Sequence, residues 1–230
     1  MRGGVAILRP EPGNARTAER AAERGLIVLR LPLFAIRPLA WEIPDTAAFD
    51  ALLLTSAAAV RHAGAGLDAC RGLPVVAVGI ETATAARDAG LDVVITGSRG
   101  AAAALELARA RGLARLLHLA GHDRMPSGAG VHALAVYASA PLPIPPGATG
   151  PLADGEWTAL LHSARAARWF ADLVDRDGTP RVAIAVAALS PAVLAAAGAG
   201  WRRAAAATAP RDNALLDLVL SWVPSPDRVD

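Results

Sequence analysis

Short apolar runs alternate with helical patterns along most of the chain. The first run, Val5 to Leu8, precedes a helical pattern from Asn14 to Arg24 that Gly25 closes, and a second run follows at 26–31. The same signals predict later strands at 51–54, 75–78, 92–96, 115–119, 131–138, 157–161, 182–186 and 201–207, and helices at 56–67, 82–89, 101–111, 164–174, 191–197 and 213–223. This alternation favours an α/β fold, with parallel sheets covered by helices.

Two proline-rich extended segments interrupt the alternation. Residues 33–38 are bounded by Pro32 and Pro38, and residues 135–151 run from an apolar strand into a stretch rich in proline. Extended pieces bounded by proline suit connectors, because proline fixes the backbone and lacks a donor. We therefore expect a two-stranded β linker formed by these segments, with lobe 1 built from residues 1–32 and 152–230 and lobe 2 from residues 39–134.

An internal repeat links the two lobes. The stretch 53–59, LLTSAAA, resembles the stretch 160–166, LLHSARA. Equal spacing to a following glycine then aligns Gly79 with Ala187 and Thr82 with Ser190. Residues 5–32 similarly match residues 116–141, so the repeat is rotated along the chain. A duplicated lobe, with the second copy inserted into the first, accounts for this order.

Composition narrows the class of protein. The 230 residues are 53% apolar, which is enough for sizeable cores. The net charge is +2 and only 4% of residues are aromatic, so nucleic acid is not an expected partner. The apolar stretches are shorter than the roughly 18 residues that a membrane span needs.

The chain has one cysteine, which excludes an internal disulfide. Its start lacks the pattern of a signal peptide. We expect a cytoplasmic protein with no membrane partner.

Candidate binding residues lie where strands are expected to lead into helices. The carboxyl ends of parallel strands converge at one edge of a sheet, where free N–H groups of helix starts can bind anions. We expect these turns to line a cleft that a hinge between the lobes opens and closes. Each hydroxyl also suits a helix N-cap, a role that any protein needs. The turns contain Ser56, Thr82, Gly121, Ser163 and Ser190.

The ordered motifs resemble one known family. The turn 54–60, LTSAAAV, is followed by 76–79, VAVG, with Thr82 three residues later, by the turn 119–124, LAGHDR, and by Val136-Tyr137. In this order, over nearly the whole chain, they are similar to the uroporphyrinogen-III synthase family. The resemblance implies a lyase that closes linear hydroxymethylbilane into a ring, inverting the terminal pyrrole through a spiro intermediate and releasing water.

The resemblance also implies partners. The substrate is a linear tetrapyrrole polycarboxylate, with no metal and no organic cofactor, and the enzyme is a monomer that could contact the upstream bilane-forming enzyme transiently. An alternative is a catalytically silent tetrapyrrole-binding or regulatory relative. It is motivated by the residues 187–190, AALS, where the family usually keeps a Gly-Pro-x-Thr turn.

Particular residues follow from the resemblance. Tyr137, the only tyrosine, matches the family tyrosine proposed to help the hydroxyl leave, and a phenol can act as a general acid. Arginines and helix starts would bind the carboxylates of the substrate. The expected substrate-binding residues are Arg9, Ser56, Gly79, Thr82, Gly121, Arg124, Ser163 and Ser190. The five histidines are dispersed, which argues against a zinc site.

Overall fold

The computed structural model describes residues 3–98, 100–123 and 128–223, and these form two compact units. Unit 1 comprises the residues up to Ala35 and those from Pro141 onward, and unit 2 comprises Ile36–Ala140. The chain therefore leaves unit 1, builds all of unit 2 and returns. The expected insertion of one lobe into the other is confirmed.

The elements follow one another in the predicted alternation. The strands are β1 (Gly4–Ile7), β2 (Ile27–Arg30), β3 (Phe34–Pro38), β4 (Ala51–Leu54), β5 (Val75–Val78), β6 (Val93–Gly97), β7 (Leu116–Gly121), β8 (Val131–Pro141), β9 (Trp157–Leu161), β10 (Ala185–Ala188) and β11 (Arg203–Ala206). The α-helices are α1 (Gly13–Glu23), α2 (Ala57–His62), α3 (Ile80–Asp88), α4 (Ala101–Ala110), α5 (Ala164–Arg176), α6 (Pro191–Ala196) and α7 (Asp212–Leu220).

Unit 1 is a five-stranded parallel sheet between two helical layers. The strand order is β11-β10-β9-β1-β2. One face of the sheet packs on α5 and α6 through a core that includes Phe170 stacked on Trp201, and the other face packs on α1 and α7. Every residue of β1 and β10 is buried, as expected for strands covered on both faces.

Unit 2 repeats this sheet and adds one strand. The order is β3-β8-β7-β4-β5-β6, and β8 to β6 run parallel. The edge strand β3 runs antiparallel to β8, because the Leu39 N–H donates to the Val136 carbonyl at one end and the Leu142 N–H donates to the Leu33 carbonyl at the other. Helices α2 and α3 cover one face of the sheet and α4 covers the other.

The two strand orders confirm the rotated repeat. If β9, β10 and β11 match β4, β5 and β6, and β1 and β2 match β7 and β8, the two sheets have the same order. The register corrects one detail of the alignment. Leu54 pairs with Ala77, and its counterpart Leu161 pairs with Ala188. Counting two residues on, Gly79 corresponds to Ser190, whereas the sequence alignment had paired Gly79 with Ala187.

This register also changes which residues replace the family turn. Ser190-Pro191-Ala192-Val193 now stands where the resemblance implies Gly-Pro-x-Thr, so the proline is retained and Val193 takes the place that Thr82 has in unit 2. Gly79 has a φ of +87°, which favours glycine, whereas Ser190 has a φ of −157°, which any residue adopts. The turn in unit 1 therefore does not need a glycine.

Three predicted boundaries are wrong for local reasons. The strand expected at 182–186 is displaced to β10, because residues 181–183 form a 3-10 turn. The helix expected at 56–67 ends at His62, since Gly64 adopts a φ of +64° and a 3-10 segment follows. The helix expected from Thr82 begins at Ile80, so Thr82 lies buried inside its first turn. The predicted tail after Pro224 lies outside the described residues.

Asp177, at the C-terminal end of helix α5, binds Thr149, which lies near the start of the second chain segment of unit 1. Its carboxylate accepts hydrogen bonds from the Thr149 N–H at 3.0 Å and the Thr149 hydroxyl at 2.9 Å, and pairs with Arg176 at 2.8 Å. Burial alone would raise the pKa of Asp177, but backbone donors at Thr149 and Gly147, with Arg176, outweigh it and lower the pKa to about 2.

We expect Asp177 to make stability depend on acidity. Its pKa is lower in the folded chain than the usual value of about 4, so its contribution is present above pH 4 and disappears as the pH falls through about 2. Asp177→Asn should therefore be less stable than wild type at pH 7, and the gap should narrow between pH 4 and 2. Urea unfolding at several pH values measures this. A gap independent of pH would contradict the assignment.

Candidate functional site

Each sheet leaves a crevice at its carboxyl edge. In unit 1 the chain leaves β1 toward β2 on one side and leaves β9 toward β10 and β11 on the other. In unit 2 the corresponding central strands are β7 and β4. Where neighbouring strands lead away in opposite directions, the following helices separate and a binding crevice forms. Each unit therefore has one crevice that is suited to binding a small molecule.

In unit 1 a buried carboxylate fills the crevice. Asp212, the first residue of α7, accepts hydrogen bonds from the Arg9 guanidinium at 2.9 and 3.0 Å, from the Thr17 hydroxyl at 2.7 Å and from the His162 Nε2 at 3.1 Å. Arg20 adds a contact at 3.3 Å. Only 10% of the Asp212 side chain is exposed. We call these five residues the Asp212 cluster.

The electrostatics of the Asp212 cluster favour the ionised carboxylate. Burial opposes ionisation and would raise the pKa of Asp212. The hydrogen bonds from His162 and Thr17 and the charge of Arg9 outweigh burial, and hold the pKa well below its usual range. Asp212 is therefore charged throughout the neutral range, and its negative charge offsets that of Arg9.

Arg9 consequently has an internal partner. The resemblance predicts that Arg9 binds a carboxylate of the substrate, whereas in the structure its guanidinium pairs with Asp212 of the same unit. Asn14 fixes the backbone below it by donating to the carbonyls of Ile7 and Arg9 at 2.8 and 3.0 Å. Ser163 and Ser190, also predicted to bind substrate, cap α5 and α6 by accepting backbone N–H groups.

In unit 2 the corresponding crevice is open. A cavity of about 640 Å³ lies at the carboxyl ends of β4 and β7, beside α4, which is within the ~300–1,000 Å³ typical of small-molecule pockets. Three predicted site residues line it, namely Ser56, Gly121 and Tyr137. The described residues that line it are Leu53, Thr55, Ser56, Ala101, Ala102, Leu105, Glu106, Arg109, His118, Ala120, Gly121, Asp123, Gly128, Val131 and Tyr137. We call this space the unit 2 cavity.

Tyr137 is held at the unit 2 cavity by contacts with its ring. A Cβ atom on Gly121 would lie 2.9 Å from the Tyr137 Cζ, so the ring lies directly on a residue without a side chain. The imidazole of His62, the last residue of α2, also contacts the Tyr137 ring, with 6.3 Å between the ring centroids. Burial, and then the charge of Arg61, lowers the pKa of His62, so this imidazole is neutral at pH 7. The Tyr137 hydroxyl has no hydrogen-bond partner among the described residues.

Two polar residues that were not predicted as site residues, Thr55 and His118, line the unit 2 cavity. The Thr55 hydroxyl and the His118 Nε2 are 3.0 Å apart, and His118 is buried. His118 is one of the five dispersed histidines, to which the sequence assigns no role in binding. His118 lies one residue before the end of the apolar run 115–119. This position near the carboxyl end of a predicted strand is the feature of the sequence that indicates a place at the site.

The remaining predicted residues are placed less directly. Ser56 caps α2 by accepting the Ala58 N–H at 3.2 Å. Gly79 precedes α3 and Thr82 is buried in its first turn, and neither lines the unit 2 cavity. Arg124 lies outside the described residues. Across the described ranges, no group of three or more His, Cys, Asp or Glu side chains could hold a metal ion, and no helix is long and apolar enough to cross a membrane.

These features define a class of protein: two α/β units built from one duplicated lobe, with a crevice suited to a small molecule in the inserted unit. The sequence profile described as uroporphyrinogen-III synthase HemD matches residues 15–217. The chain therefore belongs to the uroporphyrinogen-III synthase family. No curated protein sequence matches it significantly.

Solved structures share the fold. Uroporphyrinogen-III synthetase from Helicobacter pylori is similar with a TM-score of 0.65 at 16% identity, covering 97% of this chain and 100% of that one. A mutant uroporphyrinogen III synthase from Thermus thermophilus gives a TM-score of 0.51 at 17% identity, covering 95% and 98%. Similarity at this level of identity establishes the fold.

The Asp212 cluster should contribute to stability. Removing the Asp212 charge leaves Arg9 without its buried partner, so we expect Asp212→Asn to lower the free energy of unfolding by about 3 kcal/mol. Asp217→Asn on the same helix is the control. Asp217 is 67% exposed where it pairs with Arg24, and such surface pairs contribute about 0–1 kcal/mol. Equal losses in urea unfolding of the two variants would contradict a structural role for the cluster.

Gly121 should control the position of Tyr137. The added methyl group of Gly121→Ala would overlap the Tyr137 ring and displace it. Because Tyr137 is the only tyrosine, its ring signals in ¹³C-labelled protein report this movement directly. Gly72→Ala is the matched control, since a Cβ there meets nothing within 4 Å. Unchanged Tyr137 signals in Gly121→Ala would show that the contact does not exist in solution.

Proposed function

We propose that the chain catalyses the reaction of its family: closure of hydroxymethylbilane into uroporphyrinogen III, with inversion of the terminal pyrrole and loss of water. The observation that supports it best is Tyr137, which stands at the unit 2 cavity with a hydroxyl that no described residue engages. Family membership supplies the substrate class, a linear tetrapyrrole carrying carboxylates.

In this proposal Tyr137 acts as the general acid. Its O–H donates a proton to the departing hydroxyl group as the C–O bond breaks, so water leaves and the pyrrole becomes an electrophilic azafulvene. The substituted carbon of the terminal ring then attacks and gives the spiro intermediate, which reopens and closes as the type III ring. A positioned acid contributes about 10²–10⁴-fold. The other contribution is holding the two ends of the bilane together.

The alternative, a catalytically silent tetrapyrrole-binding relative, loses its main motivation. That interpretation depended on residues 187–190 as a degraded Gly-Pro-x-Thr turn. With the corrected register, Pro191 is kept, Ser190 begins α6 without strain, and the remaining change is Val193. A silent relative would bind the product and produce no type III isomer, so one assay separates the two interpretations.

Three further predictions accompany this function. We infer from the sequence that the enzyme works in the cytoplasm, acts as a monomer and contacts the bilane-forming enzyme only transiently. The monomer is the prediction that sedimentation tests most simply. The family assignment agrees with an enzyme that acts on a small molecule.

The direct assay is the isomer ratio. Hydroxymethylbilane closes without an enzyme to the type I isomer, so type III product measures catalysis. We expect freshly made hydroxymethylbilane incubated with the chain to give mainly uroporphyrinogen III, separated by chromatography after oxidation. Type I product alone, from protein that is folded by circular dichroism, would refute the proposed function.

Tyr137→Phe tests the proposed acid. The ring contacts with Gly121 and His62 persist while the proton donor is lost, so we expect kcat for the type III isomer to fall by roughly 100-fold with little change in stability. Stopped assays over seconds are needed, because the uncatalysed closure competes. A Tyr137→Phe enzyme that retains the wild-type kcat would remove the hydroxyl from the mechanism.

A further inference from the structure

Corresponding positions of the two units carry different chemistry. Leu54 corresponds to Leu161, so Thr55 corresponds to His162. Leu54 pairs with Leu119, and Leu160 pairs with Ile7, so Ala120 corresponds to Arg9. The helices that follow the matching strands β6 and β11 also correspond. Because α4 begins at Ala101 and α7 begins at Asp212, Ala101 corresponds to Asp212.

The positions that fill the crevice in unit 1 therefore leave it open in unit 2. Where unit 1 has Arg9, His162 and Asp212 bonded together, unit 2 has Ala120, Thr55 and Ala101. All three of these smaller residues line the unit 2 cavity. Two alanines and a threonine in place of an ion cluster remove both volume and charge, so the cavity wall at these three positions is small and neutral.

The connection between the matching strands is shorter in unit 2, which leaves more room on the same side of the sheet. In unit 1, residues 8–26 join β1 to β2 and include α1, which supplies Thr17 and Arg20 to the Asp212 cluster. In unit 2 only residues 122–130 join β7 to β8, too few for the 11 residues of α1. The described part of that connection, 122–123 and 128–130, contains no helix. The unit 2 cavity occupies the side of the sheet that α1 covers in unit 1.

The rim of the unit 2 cavity carries the charges. Arg109 lies two turns along α4 from Ala102, and its Nη2 donates to the Ala129 carbonyl at 3.2 Å. Glu106 and Asp123 are the acidic residues of the lining. A flat ring can therefore lie against the neutral walls, with any carboxylates directed toward Arg109 and away from the two acidic side chains.

We propose that the unit 2 cavity holds one pyrrole ring of the linear tetrapyrrole, the ring whose hydroxymethyl group departs, with its acetate and propionate directed at Arg109. This rests on the proposed function and adds the place of the reacting ring. The ring would then lie against Ala101, Ala102 and Ala120, with its hydroxymethyl group at the Tyr137 hydroxyl. Unit 1, whose crevice the Asp212 cluster fills, has no equivalent ring site at that position among its described residues.

A binding experiment tests the ring site without turnover. The probe is a single pyrrole that bears an aminomethyl group, one acetate and one propionate. Added to wild-type protein with ¹³C-labelled tyrosine, it should shift the Tyr137 ring signals in a saturable titration, because Tyr137 lines the cavity. Tyr137 signals that stay unchanged up to the solubility limit of the probe would overturn the proposal, whatever the isomer assay gives.

Filling the cavity provides the matched comparison. Ala102→Trp places a large ring in the unit 2 cavity, whereas Ala110→Trp makes the same change at an exposed position of α4 that does not line it. Both positions are exposed, so both variants should fold. We expect Ala102→Trp to weaken the pyrrole titration by at least about tenfold and Ala110→Trp to leave it unchanged.

Turnover separates the site from the function. If wild type forms the type III isomer, Ala102→Trp should lose most of that activity and shift the product toward type I, and Ala110→Trp should keep it. Equal activity in the two variants would overturn the ring site while leaving the proposed function intact. If wild type forms no type III isomer, the function fails, and the titration alone decides whether the cavity binds a pyrrole.

Discussion

In both units the chain leaves two paired central strands in opposite directions, and this opens a crevice at the carboxyl edge of the sheet. The crevice at the carboxyl ends of β1 and β9 is filled by the pairing of Asp212 with Arg9, at 2.9 Å, and helix α1 covers the same face of the sheet. A buried carboxylate would be costly without its donors, so the residues of the Asp212 cluster require one another. The crevice at the carboxyl ends of β4 and β7 has Ala120, Thr55 and Ala101 at the positions of Arg9, His162 and Asp212, and the unit 2 cavity lies there. The difference between the two units follows from how each one fills the same gap.

The filled crevice in unit 1 and the unit 2 cavity are suited to different roles. After duplication both lobes inherit the same crevice, yet a chain needs only one of them to bind a given ring. In unit 1 the charged and polar side chains of the Asp212 cluster fill the space. In unit 2 the same space is lined by small residues and adjoins Tyr137, whose ring needs the absence of a side chain at Gly121. The register shift between Ala120 and Gly121 places Gly121 opposite Tyr137 on the neighbouring strand.

The sequence predicted the architecture well because the signals were local. Apolar runs and glycine-closed helices identified the elements, and the similarity of 53–59 to 160–166 identified the duplication. The register of the second turn could not be predicted, because α5 is longer than α2 and both copies are rich in alanine. The partner of Arg9 was equally inaccessible, since Asp212 lies 203 positions away and meets it only when β1 and α7 pack in one unit. The cavity itself depends on the connection after β7, which is too short to hold a counterpart of α1, and motif comparison does not reveal this difference.

Hydrogen–deuterium exchange with bound product tests the central claim most directly. Uroporphyrin III, the stable oxidised form of the product, would be added at saturating concentration and the exchange of each peptide compared with that of the unbound protein. The account predicts slower exchange in the backbone around the unit 2 cavity, at residues 55–58, 101–106 and 118–122. Protection confined to the peptides of the Asp212 cluster, around Arg9, Thr17 and Asp212, with none at the unit 2 cavity, would contradict it.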